Sequence, residues 1–344
     1  RGYSVLLVDK ATFPSDIMST HFIQIPGIER LRRWGLLDRL AATNAPAITK
    51  FSFSMGDLTF SPPVPEGEFG APTAYCPRRT VLDKILVDAA VEAGAELREE
   101  FPVRELMFDG DRVVGVRGGR DGGVAEEARI VIGADGMRSL VARTMKAPEY
   151  KALPSLSYGY YSYFSGVEQD GAELHFLDGR GCLCFPTNDG CVCLGVGGAI
   201  DNFHEFRKDI EGNYMSMLDG AGTLPERVRA GKREAPFQGT ADQPNYFRKP
   251  YGDGWALVGD AGYHRDFITG LGITDAFRDA ELLSDALHAA FSGTQPIEEA
   301  LSGYERTRND IATPLYEFTT SLVANAAPPD LGAFAQFGLA LSRT

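Results

Sequence analysis

Residues Gly254–Leu283 read GWALVGDAGYHRDFITGLGITDAFRDAELL, and the parsing of this stretch decides the fold. Trp255-Ala256-Leu257-Val258 is a short apolar run, the mark of a strand buried on both faces, and it stops at Gly259-Asp260. A carboxylate at such a sheet edge can accept hydrogen bonds from a ligand's hydroxyls. Further on, Gly270-Leu271-Gly272 leads into a helical pattern over 273–291. Ala276, Phe277, Ala280, Leu283, Leu287 and Phe291 recur there on one side. Two glycines let the backbone approach a ligand closely, and a helix start offers free N–H groups and partial positive charge to an anion. Taken alone, a GxG of this kind reads as a plain strand–loop–helix connection.

Two further stretches shift that balance. VIGADGMRS at 131–139 again ends a strand in small residues and a carboxylate, Asp135-Gly136, with Arg138 and Ser139 at a helix start. RGYSVLLVDK at 1–10 runs from Val5-Leu6-Leu7-Val8 into Asp9. An acid closing such a strand is where dinucleotide-binding folds grip a ribose. The strand and glycine-rich turn that come before it in those folds are absent. A βαβ unit spans about 30 residues, so the expectation is a chain lacking roughly 25–30 residues upstream and binding its dinucleotide poorly in that form.

Bulk properties bound the rest. The chain has 344 residues and a formal charge of −13, with pI near 4.9. Nucleic acid and anionic lipid both reward dense Lys/Arg, so neither is an expected partner. No apolar stretch approaches the ~20 residues of a membrane span, and the first ten residues lack the layout of a signal peptide. Five cysteines fit reduced thiols better than a disulfide scaffold. The expectation is a cytoplasmic α/β protein.

The coarse layout has helices over 26–41 (with a break at Gly35) and 80–93, and a strand at 51–54. A hairpin follows over 103–118 and a strand over 128–133. The middle third changes character: 157–164, 172–177, 181–186 and 191–197 read as four short strands, with helical stretches near 203–218 and 224–230. The tail beyond Pro314 reads as helical. The expected fold class is α/β, a Rossmann-like, doubly wound and mostly parallel sheet with an inserted, mainly antiparallel β layer. The corresponding division puts 1–47, 71–150 and 245–325 in a dinucleotide-binding domain, 48–70 and 151–244 in a substrate domain, and 326–344 in a helical tail.

Asp135-Gly-x-Arg138-Ser139, taken with Gly259-Asp260 and Gly270-x-Gly272, resembles the single-component FAD-dependent aromatic hydroxylases, the p-hydroxybenzoate hydroxylase-like superfamily. It is similar also to their geranylgeranyl reductase and flavin halogenase relatives. Arg79-x-x-Leu82-Asp83 resembles that family's helix-start arginine, and GCLCFPTNDG at 181–190 its Phe-Pro strand beside the substrate. The resemblance implies FAD as cofactor and NAD(P)H as a transient co-substrate. It implies Asp9, with Lys10, at the adenosine ribose, and the Val103 backbone at the adenine edge. Arg79 would lie by the pyrophosphate and ribityl region, with Gly259 and Asp260 on the ribityl chain or phosphate. Gly270, Leu271, Gly272 and Ile273 would face the flavin's N1–C2=O edge, where N–H groups stabilise negative charge on the reduced ring. Asp135, Gly136 and Arg138 would support the FAD, and Thr20 would reach the flavin.

For the substrate, the resemblance implies a pocket drawn from His21, Tyr161, Tyr163, Phe185, Pro186 and Phe267, with the chemistry itself carried by FAD. Strand alternation puts Tyr161 and Tyr163 on one face and Tyr158 and Tyr160 on the other; one pair lines a pocket or simply packs. His21 is equally readable as a structural histidine. Phe267 stands where the family would place proline, and its ring either fills core or narrows the pocket. Cys182, Cys184, Cys191 and Cys193 form two C-x-C pairs across a hairpin. A two-residue turn would put all four on one face, a three-residue turn on opposite faces, and buried thiols are favoured over a metal site. Trp would occupy both Cys182 and Cys184 in a flavin halogenase. His264-Arg265-Asp266 only mimics a kinase loop, and no nucleophile elbow is present. The reading reached is an FAD-dependent monooxygenase that uses NAD(P)H and O₂ to hydroxylate an aromatic or polyketide-like small molecule. The alternatives are a flavin-dependent reductase of prenyl-type double bonds and a non-catalytic binding module.

Overall fold

The computed structural model describes residues 2–55, 58–62, 73–325 and 331–342; the expected boundaries at 70/71 and near 326 lie outside them. Strands come in two kinds, as their composition requires. Short strands pair in parallel: Leu6–Val8 with Glu96–Arg98, and the apolar Val131–Gly133 with Trp255–Leu257. The second pair joins segments far apart in sequence, and Ala256 and Leu257 are fully buried. The helix Gly272–Phe291 lies against this pair, burying Leu283 and Leu287 with Tyr251, Ala256, Leu301 and Tyr304.

The alternating segments of the middle third build the other kind, an eight-stranded sheet. From one edge its order is Lys232–Arg233, Ser157–Ser165, Cys191–Ala199, Arg180–Pro186, Ala172–Leu177, Phe51–Met55 and Leu58–Phe60, with Gln238–Thr240 alongside Ser157–Ser165. It is antiparallel except where Ala172–Leu177 runs parallel to Phe51–Met55. One face packs on the helices Ile210–Ser216 and Leu224–Ala230 through Phe164, Cys182, Cys184, Val192, Leu194, Val196 and Tyr214. The other carries Tyr161, Tyr163, Leu183, Phe185, Cys191 and Cys193 against Phe22, Ile48 and Ala74. The three-residue turn Asn188–Gly190, closed by Thr187 N donating to Cys191 O at 2.9 Å, sets this division. Of the two turn lengths, it is the longer one that forms, and the two C-x-C pairs face opposite ways.

Several expected elements are subdivided. The 26–41 helix is two, Ile25–Arg33 and Leu37–Ala41, separated at Gly35, whose φ of 72° no helix accommodates. The 128–133 strand forms only over Val131–Gly133, and a further strand precedes it. Val124–Glu127 completes a three-stranded sheet with the hairpin Val103–Asp109 and Arg112–Gly118, and Val131–Gly133 crosses to the parallel pair. The 203–218 helix splits into Phe203–Phe206 and Ile210–Ser216, the second capped by Asp209, which accepts from Gly212 N at 2.9 Å. The helix expected to begin beyond Pro314 starts earlier: Ile297–Asn325 runs through Pro314 without a stop. Leu331–Leu341 then packs back by stacking Phe337 on Phe318, centroids 4.8 Å apart. Among the described residues no helix is long and apolar enough to cross a membrane.

Candidate functional site

The strand Trp255–Leu257 runs into Gly259 (φ 55°) and Asp260. Asp260 is exposed. Among the described residues its carboxylate accepts no hydrogen bond; only its backbone carbonyl is engaged, by the Tyr246 hydroxyl at 2.7 Å. Desolvation pushes the carboxyl above its ordinary range; His264 and Arg79 pull it down, and Asp275 and Asp279 add to the rise. Such a group is built to meet a partner from outside the chain.

Opposite it, Gly270 adopts φ 61°, and a Cβ there would fall 3.2 Å from Phe22 Cδ1, so both conformation and space call for glycine. Gly272, the first residue of the 20-residue helix, has nothing within 4 Å of a would-be Cβ. The helix start therefore opens freely, with the first-turn N–H groups available to an anion. Under that first turn lies an ion network that sequence inspection missed. Asp275 accepts from Arg265 Nη2 and Arg278 Nη1, both at 2.7 Å, and Arg278 reaches Asp279 at 2.7 Å. All four side chains are buried, and they fix the angle of the helix start. Their i, i+3 spacing along 275–279 was the available signal.

Residues 20–24 form the next wall. Gln24 ties them to the helix start, its N donating to Thr274 Oγ1 and its Nε2 to Thr269 O, both at 3.1 Å. His21 is fully buried at φ 61°, its Nε2 2.7 Å from the Tyr163 hydroxyl. Phe22 stacks on Phe185 at 4.5 Å, while Tyr161 donates to Gln238 Oε1 at 3.0 Å. Burial drives both phenols up, so they stay protonated.

The sheet face above is ordered in rows by its register. Tyr163, Cys193 and Phe185 share one row; Tyr161, Gly195 and Leu183 the next; Gly159, Gly197 and Gly181 the third. The third row has no side chains, and Phe267 lies in it: a Cβ on Gly159 would fall 2.2 Å from Phe267 Cζ, and one on Gly197 3.3 Å. Sequence reading passed over these glycines because strand glycines look like defects. At the open end a recess is lined by Phe176, Gly181, Phe267, Ile268, Leu322 and Val323. Asp266 and Ser157, also unforeseen, border it. Asp266 accepts from the Ser157 hydroxyl and from Ile268 N, and desolvation raises its carboxyl against those bonds.

Other expected residues sit further round. Arg79, in the first turn of the helix Arg79–Glu92, is held by both Asp83 oxygens at 2.7 and 2.9 Å, within electrostatic reach of Asp260. Asp135 accepts from Leu140 N at 2.6 Å, capping the short helix Leu140–Thr144. Gly136 turns at φ 74°, and Arg138 extends to Asp242 at 2.7 Å. Tyr246 joins this loop to the Asp260 segment, donating also to Met137 O at 3.2 Å. Asp9 accepts from Ala11 N at 2.7 Å and lies beside Phe101, which precedes Val103. Lys10 is exposed, Thr20 half-buried. Ile273 packs with Ile28 and Phe277, and Pro186 is buried in the Phe185 strand. Thus Gly270 lies against Phe22, which shares one cluster with Phe185, Tyr161 and Tyr163, the last bonded to His21, and Phe267 lies on the glycine row of the same face; Arg79 acts on Asp260 through charge, and among the described residues Asp9, Lys10 and Val103 bond to none of these.

The open helix start, the unpartnered Asp260 carboxylate and the glycine at φ 61° together fit an elongated anionic cofactor such as FAD. The FAD binding domain family matches residues 1–167. Digeranylgeranylglycerophospholipid reductase 2 of Methanopyrus kandleri is 34% identical over 220 residues, 60% of this chain and 54% of that protein. The digeranylgeranylglycerophospholipid reductase of Methanosarcina acetivorans is 28% identical over 249 residues, 69% of this chain and 59% of that protein. The chain spans little more than half the length of these curated relatives. Among solved structures, the myxobacterial chondrochloren halogenase CndH matches with a TM-score of 0.85 at 19% identity, over 99% of this chain and 84% of that one. PqsL of Pseudomonas aeruginosa, a probable FAD-dependent monooxygenase, matches at 0.80 and 19%, over 99% and 93%. Residues 1–167 thus resemble an FAD binding domain, and over nearly its whole length the chain shares the fold of CndH and PqsL.

Proposed function

We propose that the protein is an FAD-dependent monooxygenase that uses NAD(P)H and O₂ to hydroxylate an aromatic or polyketide-like small molecule. The observation that carries this reading is the apolar, aromatic sheet face, whose neighbour Phe22 lies against Gly270 just before the helix start. In this reading Asp260 accepts hydroxyl hydrogens of the cofactor, and the N–H groups of Leu271 and Gly272 hold negative charge at its ring edge. Asp9 and the Val103 backbone take the adenosine end, with Arg79, Asp135 and Arg138 between. FAD bound there supplies the redox chemistry, passing electrons from nicotinamide to O₂. The chain's own part is to orient the substrate and to keep water away, since a dry site strengthens each fixed dipole. Leu183, Phe185, Tyr161 and the Phe267 ring provide that dryness. The Tyr163–His21 pair sits one row behind and fixes the wall in place. Five free, buried cysteines accord with work in a reducing compartment such as the cytoplasm.

A second reading, reduction of prenyl-type double bonds, draws on the curated relatives. One experiment separates the two. NAD(P)H and O₂ consumption are followed with a panel of phenols and polyprenyl compounds, and products are weighed. Hydroxylation consumes O₂ and adds one oxygen atom to the product. A product heavier by two hydrogens, formed without O₂, would establish the reductase instead.

A further inference from the structure

The recess at the open end of the large sheet is apolar over most of its wall. Its floor is the row without side chains, where Phe267 lies over Gly159 and Gly197, and Ile268 Cδ1 stands 3.8 Å from a would-be Cβ on Gly181. Phe176 and the half-buried Leu322 and Val323 of the helix Ile297–Asn325 form its sides. Arg180 contributes to the lining, but strand alternation turns its side chain to the opposite face with Cys182, where its Nη2 donates to Asp219 O at 2.8 Å. The polar side chains left to the recess are Ser157 and Asp266, both buried, at 7% and 2% exposure.

Asp266 is a buried carboxylate whose hydrogen-bond partners, among the described residues, are all neutral. One oxygen accepts from the Ser157 hydroxyl and the other from Ile268 N at 3.1 Å, while its own N–H donates to Asn245 Oδ1 at 2.8 Å. The preceding Arg265 turns away, to Asp275 Oδ2 at 2.7 Å and to the Tyr263 hydroxyl at 2.6 Å. Asp266 does cap the turn Phe267–Thr269, but asparagine or serine caps as well without the cost of burying a charge. A carboxylate offers about four acceptor sites, and the two bonds from Ser157 and Ile268 leave room for more on a side chain that lines a recess. Desolvation raises this carboxyl against those two bonds, which makes it a stronger proton acceptor than an exposed aspartate.

We propose that Asp266 is the substrate-anchoring residue of this recess: a phenolic hydroxyl on a flat, otherwise apolar molecule donates to its carboxylate while the ring lies among Phe176, Phe267 and Ile268. The assignment deepens the proposed function and rests on its aromatic substrate. It names the hydroxyl as the feature selected and Asp266 as the residue that selects it. The glycine row leaves flat space beside two phenyl rings, which suits a ring better than a branched chain. A ring without a donor would cover the carboxylate and leave its remaining acceptor sites dry and unpaired, so discrimination comes from penalty as well as attraction. A ring bearing a carboxylate of its own would bring two like charges together in an apolar recess and be rejected. The bond to Asp266 also draws the hydroxyl proton away from the ring and leaves the ring richer in electrons.

Equilibrium dialysis of the purified full chain against 2-naphthol, 2-methoxynaphthalene and 2-naphthoate tests this. The first carries the donor, the second the same ring with an acceptor only, and the third a negative charge. 2-Naphthol should bind about tenfold or more tightly than its methyl ether, and 2-naphthoate most weakly. Asp266→Asn keeps a side chain able to cap the turn. It should reduce the preference for 2-naphthol by about fivefold or more and let 2-naphthoate bind more tightly than it does to wild type, a gain that a merely structural aspartate would not produce. Val323→Trp, which fills the recess from the helix side and leaves Asp266 in place, should weaken all three probes and locates the site even if Asp266→Asn folds poorly. Equal binding of 2-naphthol and its ether to wild type, a preference unchanged in Asp266→Asn, or binding insensitive to Val323→Trp would each overturn the assignment. These outcomes need no turnover, so they are separate from the O₂ and product measurements that decide the reaction.

Discussion

Phe267 rests its ring on Gly159 so closely that a Cβ on the glycine would fall 2.2 Å from the ring's Cζ. The two positions are thus coupled: the glycine exists in the strand because the ring lies above it, and the ring's position depends on the glycine.

Gly159→Ala should displace the ring and lower stability by about 1–3 kcal/mol, the usual cost of overpacking. In a Phe267→Ala background the same change should cost much less. Urea unfolding of the four combinations measures the coupling. Additive losses would show that ring and glycine do not meet.

Phe267→Ala alone should retain FAD but loosen substrate placement, so that a larger share of the NAD(P)H oxidised yields hydrogen peroxide. Misplacement can cost about 10²-fold in rate. Peroxide yield per NAD(P)H is the measurement. Unchanged coupling with only a lower melting temperature would leave Phe267 as core.

Asp260→Ala should purify largely colourless. Each hydrogen bond to the charged carboxylate is worth about 1.5–3 kcal/mol, and no group among the described residues competes for it. Retention of full flavin absorbance would refute the assignment.

Arg278→Met should cost about 3–5 kcal/mol, because it strands Asp279 as a buried charge and leaves Asp275 with Arg265 alone. It should also weaken FAD binding, since the helix start loses its support. Denaturation and flavin titration read the two effects separately.

Acid should expose a different pair. Burial pushes Glu173 up, but His175 and Arg227 outweigh it and hold the carboxyl at about 2 against an ordinary 4.5. A depressed carboxyl contributes stability that is complete above its unfolded value and lost as pH falls through the folded one. Wild-type stability should therefore drop by about 3 kcal/mol between about pH 5 and about pH 2 through this group. Glu173→Gln should flatten that part of the profile in urea unfolding.

The elements legible in the sequence were those whose pattern is local. The strands 157–164, 172–177, 181–186 and 191–197 alternate, and each formed with ends extended by at most two residues. Asp260 and Gly270–Gly272 were legible because strand end, carboxylate and glycine occur in one stretch. What escaped is non-local. Gly159, Gly181 and Gly197 become a row only through cross-strand register. Arg265, Asp275 and Arg278 look like a solvated charged face until the fold buries them. Cys76 and Cys193 enter one buried cluster from segments more than a hundred residues apart, which no periodicity reveals.

The turn Asn188–Gly190 has an odd number of residues, and that parity selects which half of the strand Cys191–Ala199 is shown to each side of the sheet. Removal of one turn residue would exchange the sets. Val192, Leu194 and Val196 would then occupy the wall now formed by Cys193, Gly195 and Gly197. A branched side chain would stand under the Phe267 ring. A single codon at a hairpin tip thus governs the shape of the chamber.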